Sequence, residues 1–224
     1  MLGAIIWLAS MLAVQTLLFS AIEHKWMSVP AGLPGFTFHA LVMVVWSVAL
    51  VAWCLSKRKP LWALGISLDR VPGDLLFALV AGLVMGALYL VAGTAVRLYF
   101  EWGHDAPQEA FSQFLRDSMF KDLSLGHLLG VVLLYPILEE LWYRGVLYGP
   151  MRAEFGRMPA ILITSVFFAL AHSNVFPINQ FFGGLVFAIA YEYRRTLVAP
   201  ILLHIAGNGA LAAMGWLLPK YGLV

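Results

Sequence analysis

Long apolar runs dominate this chain, and isolated polar residues punctuate them. A bilayer-crossing helix needs about 20 mostly apolar residues. Leu2–Ile22, Phe36–Ser56, Leu75–Val96, Gly126–Leu147, Pro159–Phe176, Ile178–Tyr191 and Leu197–Leu218 reach or approach that length. The pattern predicts an all-α fold, a polytopic transmembrane bundle of about seven spans, formed as a single integral membrane domain over residues 1–224. Its ionisable intruders concentrate within about residues 126–218.

Leu2–Ile22 lacks a basic leading segment and a small-residue cleavage site, so it reads as a retained helix rather than a signal peptide. Gly82, Gly86 and Gly93 in the third run would let a neighbouring helix approach closely. Asp105–Leu125 has a different rhythm. Ala110, Phe111, Phe114, Leu115 and Met119 recur at helical spacing, and Gln108, Glu109, Arg116, Asp117 and Lys121 fill the other faces. This predicts an amphipathic helix in the interface, with a short soluble linker helix as the plainer reading.

Composition sharpens the picture. The 224 residues are 62% hydrophobic and 12% charged, where a soluble domain has roughly 45–50% and about 25%. A soluble globule and a disordered chain are both excluded. The net charge of +2 implies no nucleic-acid partner. Cys54, the single cysteine, lies in an apolar run and reads as an inert buried thiol. Lys57, Arg58, Lys59 and Arg70 follow the second run, Arg152 and Arg157 the fourth, and Arg194 and Arg195 the sixth. Odd numbers of spans separate none of these loops, so they share one side, which their positive charge makes cytoplasmic. The N-terminus is then expected inside and the C-terminus outside, in a multi-pass protein of a prokaryotic inner or plasma membrane.

The fourth run carries Glu139, Glu140 and Arg144. Glu140 and Arg144, four residues apart, share a helix face and can pair. Glu139 is turned by about 100° from Glu140 and lacks that partner. An unpaired carboxylate in a poorly hydrated site suits a general base, while a purely structural ion cluster is the plain alternative. Pro136, just before, cannot donate to the helix ladder and frees a backbone carbonyl nearby. Phe168 and His172 share a face near the end of the fifth run, and His204 and Asn208 share one in the seventh. The latter two are donors that could cradle an oxyanion, or simply hydrogen-bonding glue between helices. Trp142 and Tyr143 read as packing residues beside the site. Burying these polar groups separately would cost several kcal/mol each. Gathering them around one hydrated pocket is cheaper, so convergence is expected. By these span boundaries, however, His204 falls toward the cytoplasmic end and His172 toward the outer one.

Glu139-Glu140-xxx-Arg144, Phe168-xxx-His172 and His204-xxx-Asn208 together resemble the three ordered motifs of the CAAX-protease and bacteriocin-processing family of intramembrane proteases. The likeness covers roughly residues 130–212. It implies a peptidase in which Glu139 and His172 activate a water, His204 and Asn208 stabilise the oxyanion, and Glu140, Arg144 and Phe168 support the site. Such an enzyme would take a membrane-anchored protein or peptide as substrate within the lipid bilayer: a CAAX-like tail, a leader or a C-terminal sorting tail. The family has been described both as metalloproteases and as glutamate-type enzymes. Zinc on Glu139, His172 and His204 is therefore the alternative to a cofactor-free site. No HExxH spacing is present; a His204-xxx-Asn208 pair that offers an oxyanion hole without metal, and the poor ligand quality of Asn, favour the cofactor-free form. A proton-coupled transporter using the same charges, or a non-catalytic immunity or scaffold membrane protein, are the competing functions.

Overall fold

The computed structural model describes residues 35–56, 64–67, 69–101, 125–172 and 177–220, together with Ile6, Ser10, Ala13, Val14 and Leu17. The rest of the first apolar run, and the amphipathic segment Asp105–Leu125 apart from Leu125, lie outside the described residues. The described residues form helices joined by turns and contain no strand. Helix α1 is Gly35–Ser56 and α2 is Val71–Glu101. A continuous rod follows: α3 (Leu125–Leu128), a π-helical turn over Leu129–Leu134, α4 (Tyr135–Glu140), a second π-helical segment over Leu141–Tyr148, and α5 (Gly149–Phe155). Gly156, at φ 83°, ends the rod and opens α6 (Arg157–Ala171). Then come α7 (Pro177–Arg194) and α8 (Val198–Lys220).

In the fifth apolar run α6 ends at Ala171 with His172 at its cap, and residues 173–176 of that run lie outside the described residues. The sixth gains residues at both ends, running Pro177–Arg194. Among the described residues, one window, Val71–Leu88, is long and apolar enough to cross a membrane alone. Ala40–Ser56, Arg157–Ala171 and Val198–Met214 are apolar but shorter. Charges interrupt the rod, and polar residues dilute α7, so hydropathy alone does not select them.

The first π-helical turn has a physical cause. A proline ring clashes with the carbonyl four residues before it, here that of Val132. Widening the turn ahead of Pro136 relieves the clash, and Pro136 then sits at the start of α4, where no N–H is needed.

The rod is the centre of the bundle. Trp142, Arg144, Leu147 and Tyr148 are almost wholly buried, and Glu140 with them. Trp142 Nε1 donates to Ser47 Oγ on α1 at 2.9 Å. Tyr143 stands edge-on to Phe168 with ring centroids 5.2 Å apart, and Cys54 is buried in the core. α6 and α7 form an antiparallel hairpin, close enough that a Cβ at Gly184 would lie 3.1 Å from Ser165 Cα. α8 packs on α2, α7 and the rod. Gly82 and Gly86 do not create the expected close approach: a Cβ at Gly82 would meet Leu203 only at 3.9 Å, and one at Gly86 would meet nothing within 4 Å. The outward face of α2 is bare and apolar, with Leu76, Leu79, Leu83 and Val91 all more than 60% exposed.

One end of the bundle is basic and cross-linked. Arg152 and Arg195 both bind Glu192, at 2.9 and 2.7 Å. Arg194 binds buried Asp74 at 2.6 Å, and Arg70 donates to the Arg194 carbonyl at 3.3 Å. Arginines expected on one side of the membrane thus meet at one end.

The chain between α7 and α8 turns inward. Arg195, at φ 57°, leaves the helix. Thr196 and Leu197 are then buried, and Leu197 N–H donates to Gly65 O at 2.8 Å. Leu197 also packs at Gly145, so α8 begins at the level of Gly145 rather than at the rim.

Candidate active site

That inward start sets the depth of His204. Two turns into α8, it reaches Glu139 and Glu140 on the rod. The expected offset of His204 toward the cytoplasmic end disappears. On the other side, the α6–α7 hairpin brings Phe168 against Gly184, whose carbonyl accepts from Arg144 Nη2 at 2.8 Å. His172, one turn past Phe168, arrives beside Glu139, one turn before Arg144.

The expected pair forms: Arg144 Nη1 lies 2.8 Å from Glu140 Oε1, with both side chains fully buried. The same Glu140 oxygen accepts from His204 Nδ1 at 2.9 Å, a contact between residues 64 apart. Glu139 faces away from this pair, as its rotation required. Its Oε1 lies 3.7 Å from His172 Nε2 and its Oε2 lies 3.6 Å from His204 Nε2. These gaps are too long for direct hydrogen bonds and short enough for one water to touch both sides. Glu139 and His172 are 14% and 18% exposed, against 5% for His204, so the opening lies on the Glu139–His172 side.

The ring nitrogens have distinct duties. His172 Nδ1 lies 2.8 Å from the Phe168 carbonyl, which only accepts, so Nδ1 carries a hydrogen there. In a neutral ring the lone pair of Nε2 then faces Glu139. His204 Nδ1–H likewise faces the acceptor-only Glu140 carboxylate. Its Nε2 becomes a donor only when the ring is an imidazolium.

Aromatic rings wall the charges. Phe187 stacks on His204 with centroids 4.4 Å apart and planes 19° from parallel. Phe168 touches His172 and His204 at centroid distances of 4.7 and 5.6 Å. The Arg144 guanidinium carbon stands 5.1 Å from the Phe168 ring centre and 5.5 Å from that of Phe187. Phe168 therefore supports three charged or ionisable groups at once.

Asn208 sits one turn beyond His204, with its Nδ2 2.9 Å from the Val131 carbonyl. One amide N–H is committed there; a primary amide has a second. Sequence reasoning missed Phe187, Gly184, Val131 and the Glu140–His204 bond. Only the adjacent small residues Gly183 and Gly184 hinted at a tight crossing.

Glu139 presents a different carboxylate oxygen to each imidazole. Among the described residues, no group of three or more His, Cys, Asp or Glu side chains is placed to hold a metal ion.

Comparison with known proteins points to one family. Residues 121–210 match the family described as type II CAAX prenyl endopeptidase Rce1-like. The chain is also 33% identical over 97 residues to the membrane-embedded CAAX protease MroQ of Staphylococcus aureus (strain USA300). That match covers 40% of this chain and 39% of the relative, so the chain spans about two fifths of the relative it matches. No solved structure matches it. The matched stretch, residues 121–210, holds Glu139, Glu140, Arg144, Phe168, His172, His204 and Asn208, and it is similar to this CAAX endopeptidase family.

Proposed function

We propose that this protein is a metal-free intramembrane endopeptidase that cleaves a membrane-anchored or lipidated protein tail. The carrying observation is Glu139 set between the Nε2 atoms of His172 and His204, at 3.7 and 3.6 Å. A water held between Glu139 and His172 gives its proton to Glu139 as its oxygen attacks the scissile carbonyl. The new oxyanion accepts from protonated His204 Nε2 and from the second N–H of Asn208. Glu139 then delivers its proton to the departing amine. Glu140 and Arg144 hold His204 and the rod in register.

A bilayer setting fits the bare apolar face of α2 and the arginines gathered at one end. In this reading the chain crosses about seven times, with its N-terminus and the arginine-rich end cytoplasmic. The matched relative is named as a CAAX protease, which supports a C-terminal tail as substrate.

The test is cleavage of a membrane-anchored reporter carrying such a tail, by purified protein in vesicles. Glu139→Gln keeps the shape and removes the base, so it should abolish cleavage and leave thermal unfolding unchanged. Cleavage by Glu139→Gln at the wild-type rate would defeat the proposal. So would proton-coupled uptake by a wild-type protein that cuts no anchored tail, an outcome that favours a transporter.

A further inference from the structure

We infer that Pro136 is a positioning residue for Asn208, acting through the one backbone carbonyl that its missing N–H releases. This rests on the protease reading above. Tyr135 N–H reaches back to Gly130 O, so the turn ahead of it runs in the i→i−5 register. In that register the next donor is residue 136 and its acceptor is the Val131 carbonyl. Proline has no N–H to give. Val131 is 1% exposed, so bulk water does not reach it, and a buried carbonyl without a donor is costly. Asn208 Nδ2 supplies the donor at 2.9 Å from the facing helix.

The consequence is orientation. A primary amide is planar, so fixing one N–H on Val131 O fixes the direction of the other. Without that anchor, the Asn208 amide would swivel about a soft terminal torsion. The proline that widens the rod thereby fixes an oxyanion donor on a different helix.

Pro136→Ala restores an N–H that competes with Asn208 for the carbonyl. It should lower kcat by ~10–100-fold, below the full loss of an oxyanion donor, with KM unchanged. In that background, Asn208→Ala should cost only about 10-fold more, well short of its roughly 10²–10³ in the wild type, because both changes act on one interaction. Pro136 is almost fully buried, so alanine also leaves a gap. Lactic acid at position 136, which places a backbone ester there, has the same small side chain and no N–H, and should restore kcat. Wild-type kcat in Pro136→Ala, additive losses in the double variant, or an ester variant as slow as alanine would each overturn the inference. A structure of Pro136→Ala decides it without activity. Asn208 should leave Val131 O, and an unchanged contact would refute the assignment. If wild type cuts nothing, the protease reading falls by itself and this structural arm still stands.

Discussion

Glu140 grips His204 by its Nδ1, 2.9 Å from Oε1, while the same oxygen takes Arg144 Nη1 at 2.8 Å. One buried carboxylate atom therefore joins the rod to α8 and fixes which face of the imidazole looks at Glu139. The residue that seemed only to brace its own helix is the hinge-pin of the site.

Glu140→Ala should damage stability and activity together. It strands a fully buried guanidinium and frees His204, a kind of loss that costs about 3–5 kcal/mol. Glu140→Gln retains an acceptor oxygen for His204 and should keep more of both. Thermal unfolding in detergent and reporter cleavage read the two effects. An alanine variant as stable as wild type would contradict the pairing.

His172→Ala and His204→Ala should each cost ~10²–10⁴ in kcat, the range of a lost proton-handling group. Asn208→Ala should cost about 10²–10³. All three should bind an uncleaved tail as wild type does, which a pull-down with the reporter measures. Loss of binding in parallel with loss of rate would shift these residues from chemistry to recognition.

Gly184→Val tests the hairpin. A Cβ there would meet Ser165 at 3.1–3.2 Å and Phe168 at 3.4 Å, so α7 must move away and carry off the carbonyl that holds Arg144. We expect a destabilisation of about 1–3 kcal/mol and a fall in kcat. Unchanged kinetics would mean that the Gly184 carbonyl is dispensable to the site.

Asp74→Ala is the contrast. Asp74 is fully buried and accepts from Arg194 and Thr196, far along the chain from any motif residue. Its loss leaves Arg194 half-paired and should lower the unfolding temperature by several degrees. At temperatures where the variant stays folded, kcat should match wild type. A catalytic defect there would show that the basic end and the site are coupled.

Prolonged dialysis against a strong zinc chelator should leave kcat unchanged. Restoration of a chelated, inactive sample by zinc alone would overturn the metal-free chemistry.

Much of the site was legible because it depends on local periodicity. Four-residue spacing placed Arg144 on Glu140, and the turn of one residue sent Glu139 elsewhere; both hold in the fold. The cost of isolated polar groups in an apolar bundle predicted that helices carrying His172 and His204 would converge, and they do. What was illegible is set by tertiary packing. The buried turn through Thr196 and Leu197 shifts α8 inward, and no local residue pattern announces it. The π-helical turn at Leu129–Leu134 adds a residue to the rod, which a fixed 3.6-residue period cannot register. Phe187 and Gly184 lack any chemistry of their own and matter only for what they touch.

The inward start of α8 has a consequence for biogenesis. His204 and Asn208 lie on the last helix described, and neither the Glu139 base nor His172 is complete without them. A nascent chain that has threaded only through α7 owns a carboxylate and one imidazole but no cradle for a developing negative charge. Under the proposed function, hydrolytic competence should therefore wait on the docking of α8 against the rod.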